Sequence, residues 1–291
     1  LNFSDNGIIS GELLNSSLIL GGSTPQLKDT TFNFDPKRWD IVEGVVSDAV
    51  ATNNRVLLEG YFEQIKAMGI TTFKIDEMDA YFKWDSDTPQ LRADERALNV
   101  PSDFHLLMTD NTHLRLQPNN NKLGCLLAVF KADNVIIEGG NLHGDRDTHD
   151  YSDGGSHEWG HTMRISASKN VTIKNMTITD ATGDGIVIHA FDHAFAANYI
   201  YSENVLITNN KIIRARRNGI SITDGRNLII ENNSIIDTGV ATALSDGTAP
   251  RWAIDIEPIW SGGIKYEIVE NVIIRNNIER GSEKGGFINA R

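Results

Sequence analysis

Asp255 and Glu257 stand one residue apart in RWAIDIEPIW, residues 251 to 260, between Trp252 and Trp260. Side chains alternate between the faces of a strand, so two acids at this spacing share a face, with Cα atoms about 6.5 Å apart. Carboxyl groups so placed can serve as the acid/base or acid/nucleophile pair of a glycosidase, and side-chain reach spans both the retaining and the inverting separation. In a half-dry groove their repulsion would keep one protonated as acid and the other ionised as base. Trp252 and Trp260 would offer flat faces for sugar rings. The competing reading is a solvated strand face with two ordinary surface acids.

Other residues bear on the same chemistry. Asp184 in TGDGI sits at an Asp-Gly turn, where it can be a turn former or a catalytic acid. His189 falls on the same outward column as Glu257, two coils away, or roughly 10 Å by ladder spacing. The loop HGDRDTHDYSDGGSHEWGH gathers His143, Asp145, Arg146, His149, His157, Glu158, Trp159 and His161. Imidazoles and carboxylates are metal ligands, yet no H-E-x-x-H spacing is present, so no metal is expected there. Arg146, Glu158 and His161 are instead expected to bond sugar hydroxyls or lock the loop. RARR supplies Arg214, Arg216 and Arg217, which could grip a uronate or sulfate bidentately or form a solvated turn. Arg164, Arg217, Glu158, His161, Trp252, Trp260 and Arg146 are the expected substrate contacts, with Asp255, Glu257, Asp184 and His189 as the catalytic set.

A repeat must position these residues. DNVIIEGG (133 to 140) returns as KNVTIKNM, ENVLITNN, RNLIIENN and ENVIIRNN, whose asparagines Asn134, Asn170, Asn204, Asn227 and Asn271 lie 36, 34, 23 and 44 residues apart. Short alternating strands between Gly and Asn turns cannot bury their apolar faces alone and must stack on copies of themselves, which predicts an all-β parallel β-helix. A second strand series, HTMRISA, DGIVIHA, NGISITD, WAIDIEP and GGFINAR, lies between the framing segments. Aligning Ile165, Ile188, Ile222 and Ile256 inward turns Arg164, Val187, Ser221 and Asp255 outward in one column, and Ser166, His189, Thr223 and Glu257 in the next. Surplus residues flank only this series. Long loops on both borders of one face make walls, so the site is expected over this ladder.

Residues 1 to 97 read as an N-terminal segment with first coils, and 98 to 291 as the helix carrying the groove, in one continuous domain. WDIVEGVVSDAVATNN (39 to 54) places Ile41, Val42, Val45, Val46, Ala49 and Val50 on one face of a capping amphipathic helix. The polar stretch 85 to 100 reads as a loop. The chain stops within a strand series, and further coils are expected beyond Arg291.

Asp and Glu total 39 against 27 Lys and Arg, a net charge of −12 that disfavours nucleic acid and anionic membrane as partners. The single Cys125 excludes an intramolecular disulfide framework. No apolar run is long enough to span a bilayer. A secreted, periplasmic or cell-surface location is expected, with any signal removed before Leu1.

LNVPSDFHLLMTDNTHLRLQPN, DNVIIEGGNLHGDR, KNVTIKNMTITDATGDGIVI and NLIIENNSI, within 98 to 291, resemble the right-handed parallel β-helix proteins of the pectin-lyase-like superfamily. Among these, the likeness is nearest to polygalacturonase-like (family 28) glycoside hydrolases and related bacterial and phage polysaccharide-degrading enzymes. The resemblance implies a polysaccharide or oligosaccharide partner. Asp184 in TGDGI matches the Asn-Thr-Asp-Gly turn of that family, but RNGI (217 to 220) stands where its paired acid belongs, and its Gly-His-Gly and Arg-Ile-Lys are absent. An acid pair on one strand is similar to the arrangement in iota-carrageenases. The expected activity is glycoside hydrolysis without a cofactor. A lyase of the same fold, using Arg or Lys as base and usually calcium, and a non-catalytic phage tailspike or glycan-binding solenoid are the alternatives.

Overall fold

A computed structural model describes residues 2–3, 7–16, 20–84 and 93–289. Strands stack in parallel into three long sheets, as a β-helix requires. Eight strands, from Thr31–Phe34 and Thr72–Ile75 to Val269–Arg275, form the framing sheet; seven, from Met78–Phe82 to Ile278–Arg280, form a second. The third is the groove sheet: Leu98–Asn99, Leu123–Phe130, Trp159–Ser166, Ile186–His189, Ile220–Ile222, Ile254–Ile256 and Phe287–Asn289.

The groove-sheet register matches the alternation in the sequence. Ile165 pairs with Ile188, Ile188 with Ile222 and Ile222 with Ile256, all buried inside the coil. Arg164, Val187, Ser221 and Asp255 form the adjacent outward column. The framing asparagines have a separate backbone cause: Asn134, Asn170, Asn204, Asn227 and Asn271 all hold φ between 55° and 59°. Asn tolerates this left-handed region, and the resulting kink turns each amide along the axis. Asn170 Nδ2 donates to Asn134 Oδ1 at 2.9 Å, Asn204 to Asn170 at 3.0 Å and Asn271 to Asn227 at 3.1 Å. A second ladder joins the buried Asn210 and Asn233 to the half-buried Asn277 at the framing-sheet corner, with side-chain bonds of 3.0 Å.

The capping helix spans Asp48–Ala67, not 39 to 54. Ser47 caps it by accepting the Val50 N–H, while Gly44, at φ 78°, interrupts the chain just before. Val45 is accordingly 89% exposed, and the buried stripe is Ala51, Leu58, Phe62 and Ile65. Asn54, where the predicted helix ended, is an interior clip: its side chain accepts from Val42 N–H and donates to the Val42 and Tyr81 carbonyls. Phe62 packs edge-on against Phe73 at 5.0 Å between ring centres, which seals the first coils. Of the predicted loop 85 to 100, residues 85 to 92 lie outside the described set; Ala93–Arg96 is a short helix and Leu98–Asn99 a groove strand.

Candidate functional site

The loops of residues 144–158, 190–202, 237–253 and 257–268 border the groove sheet, as the surplus residues predicted. Between them lies a cavity of about 230 Å³, lined by Leu123, Trp159, His161, Arg164, Asp184, Val187, His189, Arg217, Thr223, Glu257, Ile259 and Glu267. A larger hollow of about 520 Å³ lies on the framing sheet, among Leu206, Ile229, Ile273 and the outer asparagines. It has no titratable lining, whereas the smaller cavity gathers carboxylates, arginines and histidines.

Arg217 organises the cavity. Its Nη1 donates to Asp184 Oδ2 at 3.1 Å and Oδ1 at 3.2 Å, and its Nη2 to Glu257 Oε2 at 2.5 Å. Burial would lower the Arg217 pKa, but the two carboxylates hold it above the usual value. RNGI thus puts a guanidinium where a second acid would repel Asp184. Burial raises the Asp184 pKa, opposed by Arg217 and by the Asn218 N–H, which donates to Oδ1 at 3.0 Å. Asp184 is 1% exposed and sits beneath the guanidinium.

Glu257 is the open carboxylate, its side chain 38% exposed. Asp255 shares its strand face, as expected, but is only 1% exposed and does not line the cavity, which corrects the expectation of two acids projecting together. Asn218, which donates to Asp255 Oδ2 at 3.0 Å, and Ser221 roof it, while Oδ1 is buried without a partner among the described residues. Burial, then the Glu257 charge, pushes its pKa up to about 7. An unpartnered buried carboxyl oxygen accords with the protonated form.

Glu267 was not expected. Burial pushes its pKa up to about 7, and Ile259 N–H donates to Oε2 at 2.7 Å. Oε1 lies 3.4 Å from His189 Nδ1, and the Thr223 hydroxyl also hydrogen-bonds the carboxyl, which opposes the rise. His189 Nδ1 also lies 2.6 Å from Thr223 Oγ1. The sequence signal was slight: Glu267 closes the loop leaving the Glu257 strand, one of the four that wall the groove.

The other expected contacts separate. Arg164, His161 and Arg217 line the cavity, and Glu158 stands beside it, 3.7 Å from Arg217 Nε. Trp252 and Trp260 do not line it: Trp252 packs beside Gly285, and Trp260 lies 60% exposed on the hairpin of Trp260–Ser261 and Ile264–Lys265. Trp159, 48% exposed with the Arg217 guanidinium 5.9 Å from its ring centre, is the aromatic face of the cavity.

Arg146 is a fastener, not a substrate contact. It is 1% exposed and donates to Ser245 Oγ at 2.8 Å and to the Arg214 and Val240 carbonyls, tying loop 144–158 to loop 237–253. Arg214 and Arg216 are likewise engaged, with Asp180 and with the Asp246 and Ser156 carbonyls, so RARR presents no anion clamp. The loop histidines also lock: Asp145 Oδ2 meets His149 Nδ1 at 2.8 Å, and His149 Nε2 meets His157 Nδ1 at 2.9 Å. His143 lies on the second sheet beside His113. No grouping of three or more metal-ligating side chains occurs among the described residues.

A family model described as "Right handed beta helix region" matches residues 119–290. Two curated Bacillus subtilis proteins match: the uncharacterized protein YclG, 36% identical over 181 residues, and the SPbeta prophage-derived uncharacterized protein YorA, 32% identical over 176. The alignments cover 61% and 58% of this chain, which spans less than a third of these relatives (30% and 29%). Among solved structures, a candidate glycosyl hydrolase from Parabacteroides merdae superposes with TM-score 0.57 at 13% identity, over 85% of this chain and 95% of that one. An iota-carrageenase complexed to iota-carrageenan fragments gives 0.51 at 14%, over 80% and 49%. At these identities the likeness is one of fold.

Proposed function

The chain belongs to the right-handed β-helix family, and on that premise we propose that its groove binds a polysaccharide or oligosaccharide and hydrolyses a glycosidic bond, with Glu257 as the carboxylate that meets the sugar. Glu267 holds the proton delivered to the departing oxygen, and Trp159 stacks on a ring. Asp255 and Asp184 act through others: Asp255 sets the charge beneath Glu257, and Asp184 fixes Arg217, which aims Glu257. His189 positions Glu267 through Thr223.

One observation carries the reading: within one cavity an Arg-paired, open carboxylate and a buried carboxyl with pKa about 7 face the same space. A carboxyl that keeps its proton near neutral pH is what a general acid requires. No cofactor is needed, so chelator should leave the activity unchanged. The carbohydrate-active neighbours support a glycan as occupant, and a glycan partner fits a secreted or surface location.

Reducing-end release from neutral, uronic and sulfated polysaccharides tests this. Glu257→Gln should lower turnover by about 100-fold or more, the usual contribution of a positioned proton-transfer group, with the fold intact. Full activity in that variant would refute the assignment. Unsaturated products would select the lyase, and binding without turnover a recognition solenoid.

A further inference from the structure

One cation of the cavity has donors that its partner does not use. Arg164 lines the cavity from the Trp159–Ser166 strand, with its side chain 9% exposed. Asp94 balances its charge, but Oδ2 lies 3.7 Å from Nε, beyond hydrogen-bond length, and Nε is buried with no acceptor among the described residues. Its register neighbours on the adjoining strands, Ala128 and Val187, are apolar and offer no side-chain acceptor. Arg217 also has a buried Nε without an acceptor among the described residues, but its Nη1 donates to Asp184 and its Nη2 to Glu257.

A second donor stands nearby on the same strand. His161 Nδ1 accepts the Asp184 N–H at 3.1 Å. Burial, reinforced by Arg164 and Arg217, keeps the ring pKa well below its ordinary value, so the ring is neutral and its one proton sits on Nε2. A buried guanidinium is costly to leave without acceptors, and its planar fork matches a carboxylate or sulfate oxygen pair.

We propose that Arg164 and His161 form an anion subsite beside Glu257, which accepts the carboxylate or sulfate ester of an acidic sugar. That the occupant is a glycan rests on the reading of the groove given above. The chemistry of the subsite is shared by uronate and sulfate. A localised cation is also what lets a chain of net charge −12 hold a polyanion.

Binding, measured by calorimetry with no turnover required, tests the subsite. The intact chain and Arg164→Gln are titrated with uronate-bearing, sulfated and neutral oligosaccharides. The acidic ligand should bind about 10- to 100-fold more weakly to the variant, as expected for lost charged hydrogen bonds, with neutral ligands unchanged. Arg164→Lys should recover part of the loss, and added salt should weaken acidic binding to the native chain. The uronate and sulfate arms identify the anion. Preference for neutral ligand, equal affinity in Arg164→Gln, or no binding of any acidic ligand would overturn the proposal; a variant that fails to fold leaves the native ligand preference and salt dependence to decide it. Acidic binding that depends on Arg164 but yields no cleavage would retain the subsite and reject hydrolysis.

Discussion

Asp255 is a carboxyl that the folded chain prefers to keep protonated, and its linkage to stability has a definite sign. Its pKa rises from 3.8 to about 7 on folding, because of burial and then Glu257. Between about pH 4 and 7 the native state binds more protons there than the unfolded state, so this contribution to stability is present below pH 4 and is lost as pH rises through 7. Asp255→Asn cannot ionise. Its melting temperature should therefore gain on the native protein by about 3 °C or more between pH 5 and 8, as followed by circular dichroism; a constant difference across that range would contradict the shift. The two-residue spacing of Asp255 and Glu257 correctly placed them on one face. It could not show that Asn218 and Ser221, from the preceding coil, roof Asp255 while Glu257 stays open beside Arg217. Glu267 was hidden for a related reason: it reaches the cavity from a loop, where alternation gives no direction.

The bordering loops owe their order to buried polar ties. Arg146 and the Asp145–His149–His157 chain hold loop 144–158, while Tyr199 donates to the carboxylate of Asp224 at 2.9 Å, holding loop 190–202. Arg146→Ala removes several charged hydrogen bonds and strands the carbonyls they satisfied, so it should destabilise by about 2–4 kcal/mol in denaturant titration. Glu257→Gln, at an exposed side chain, should change stability by less than about 1 kcal/mol. The location of these loops was legible because surplus residues stand out against a repeat. Their contents were less so, since an arginine in a polar loop reads equally as contact or fastener until its burial is known. The capping helix was legible in kind but not in extent. Its true face begins where Ser47 caps it and runs on past Asn54, the last residue of the expected span, to Ala67.

Across the whole molecule the coil is held by two asparagine ladders of unequal standing. Asn233 is 1% exposed; its oxygen accepts from the Asn210 amide, and its nitrogen donates to Ile207 O at 2.9 Å and Asn277 Oδ1 at 3.0 Å. Asn204 belongs to the exposed ladder. Asn233→Ala should cost about 2–4 kcal/mol through stranded buried groups, and Asn204→Ala about 1 kcal/mol, mainly for a left-handed residue without an amide. Comparable denaturation midpoints would contradict this ranking. The overall winding was the most legible property, because the strict alternation of Ile165, Ile188, Ile222 and Ile256 admits only one register. Although the coils differ from 23 to 44 residues, each contributes one rung to every sheet. Extra residues therefore never lengthen the molecule. They accumulate sideways around one face, so the reach and depth of the trench can be retuned by trimming or extending chain that the scaffold does not depend on for its pitch.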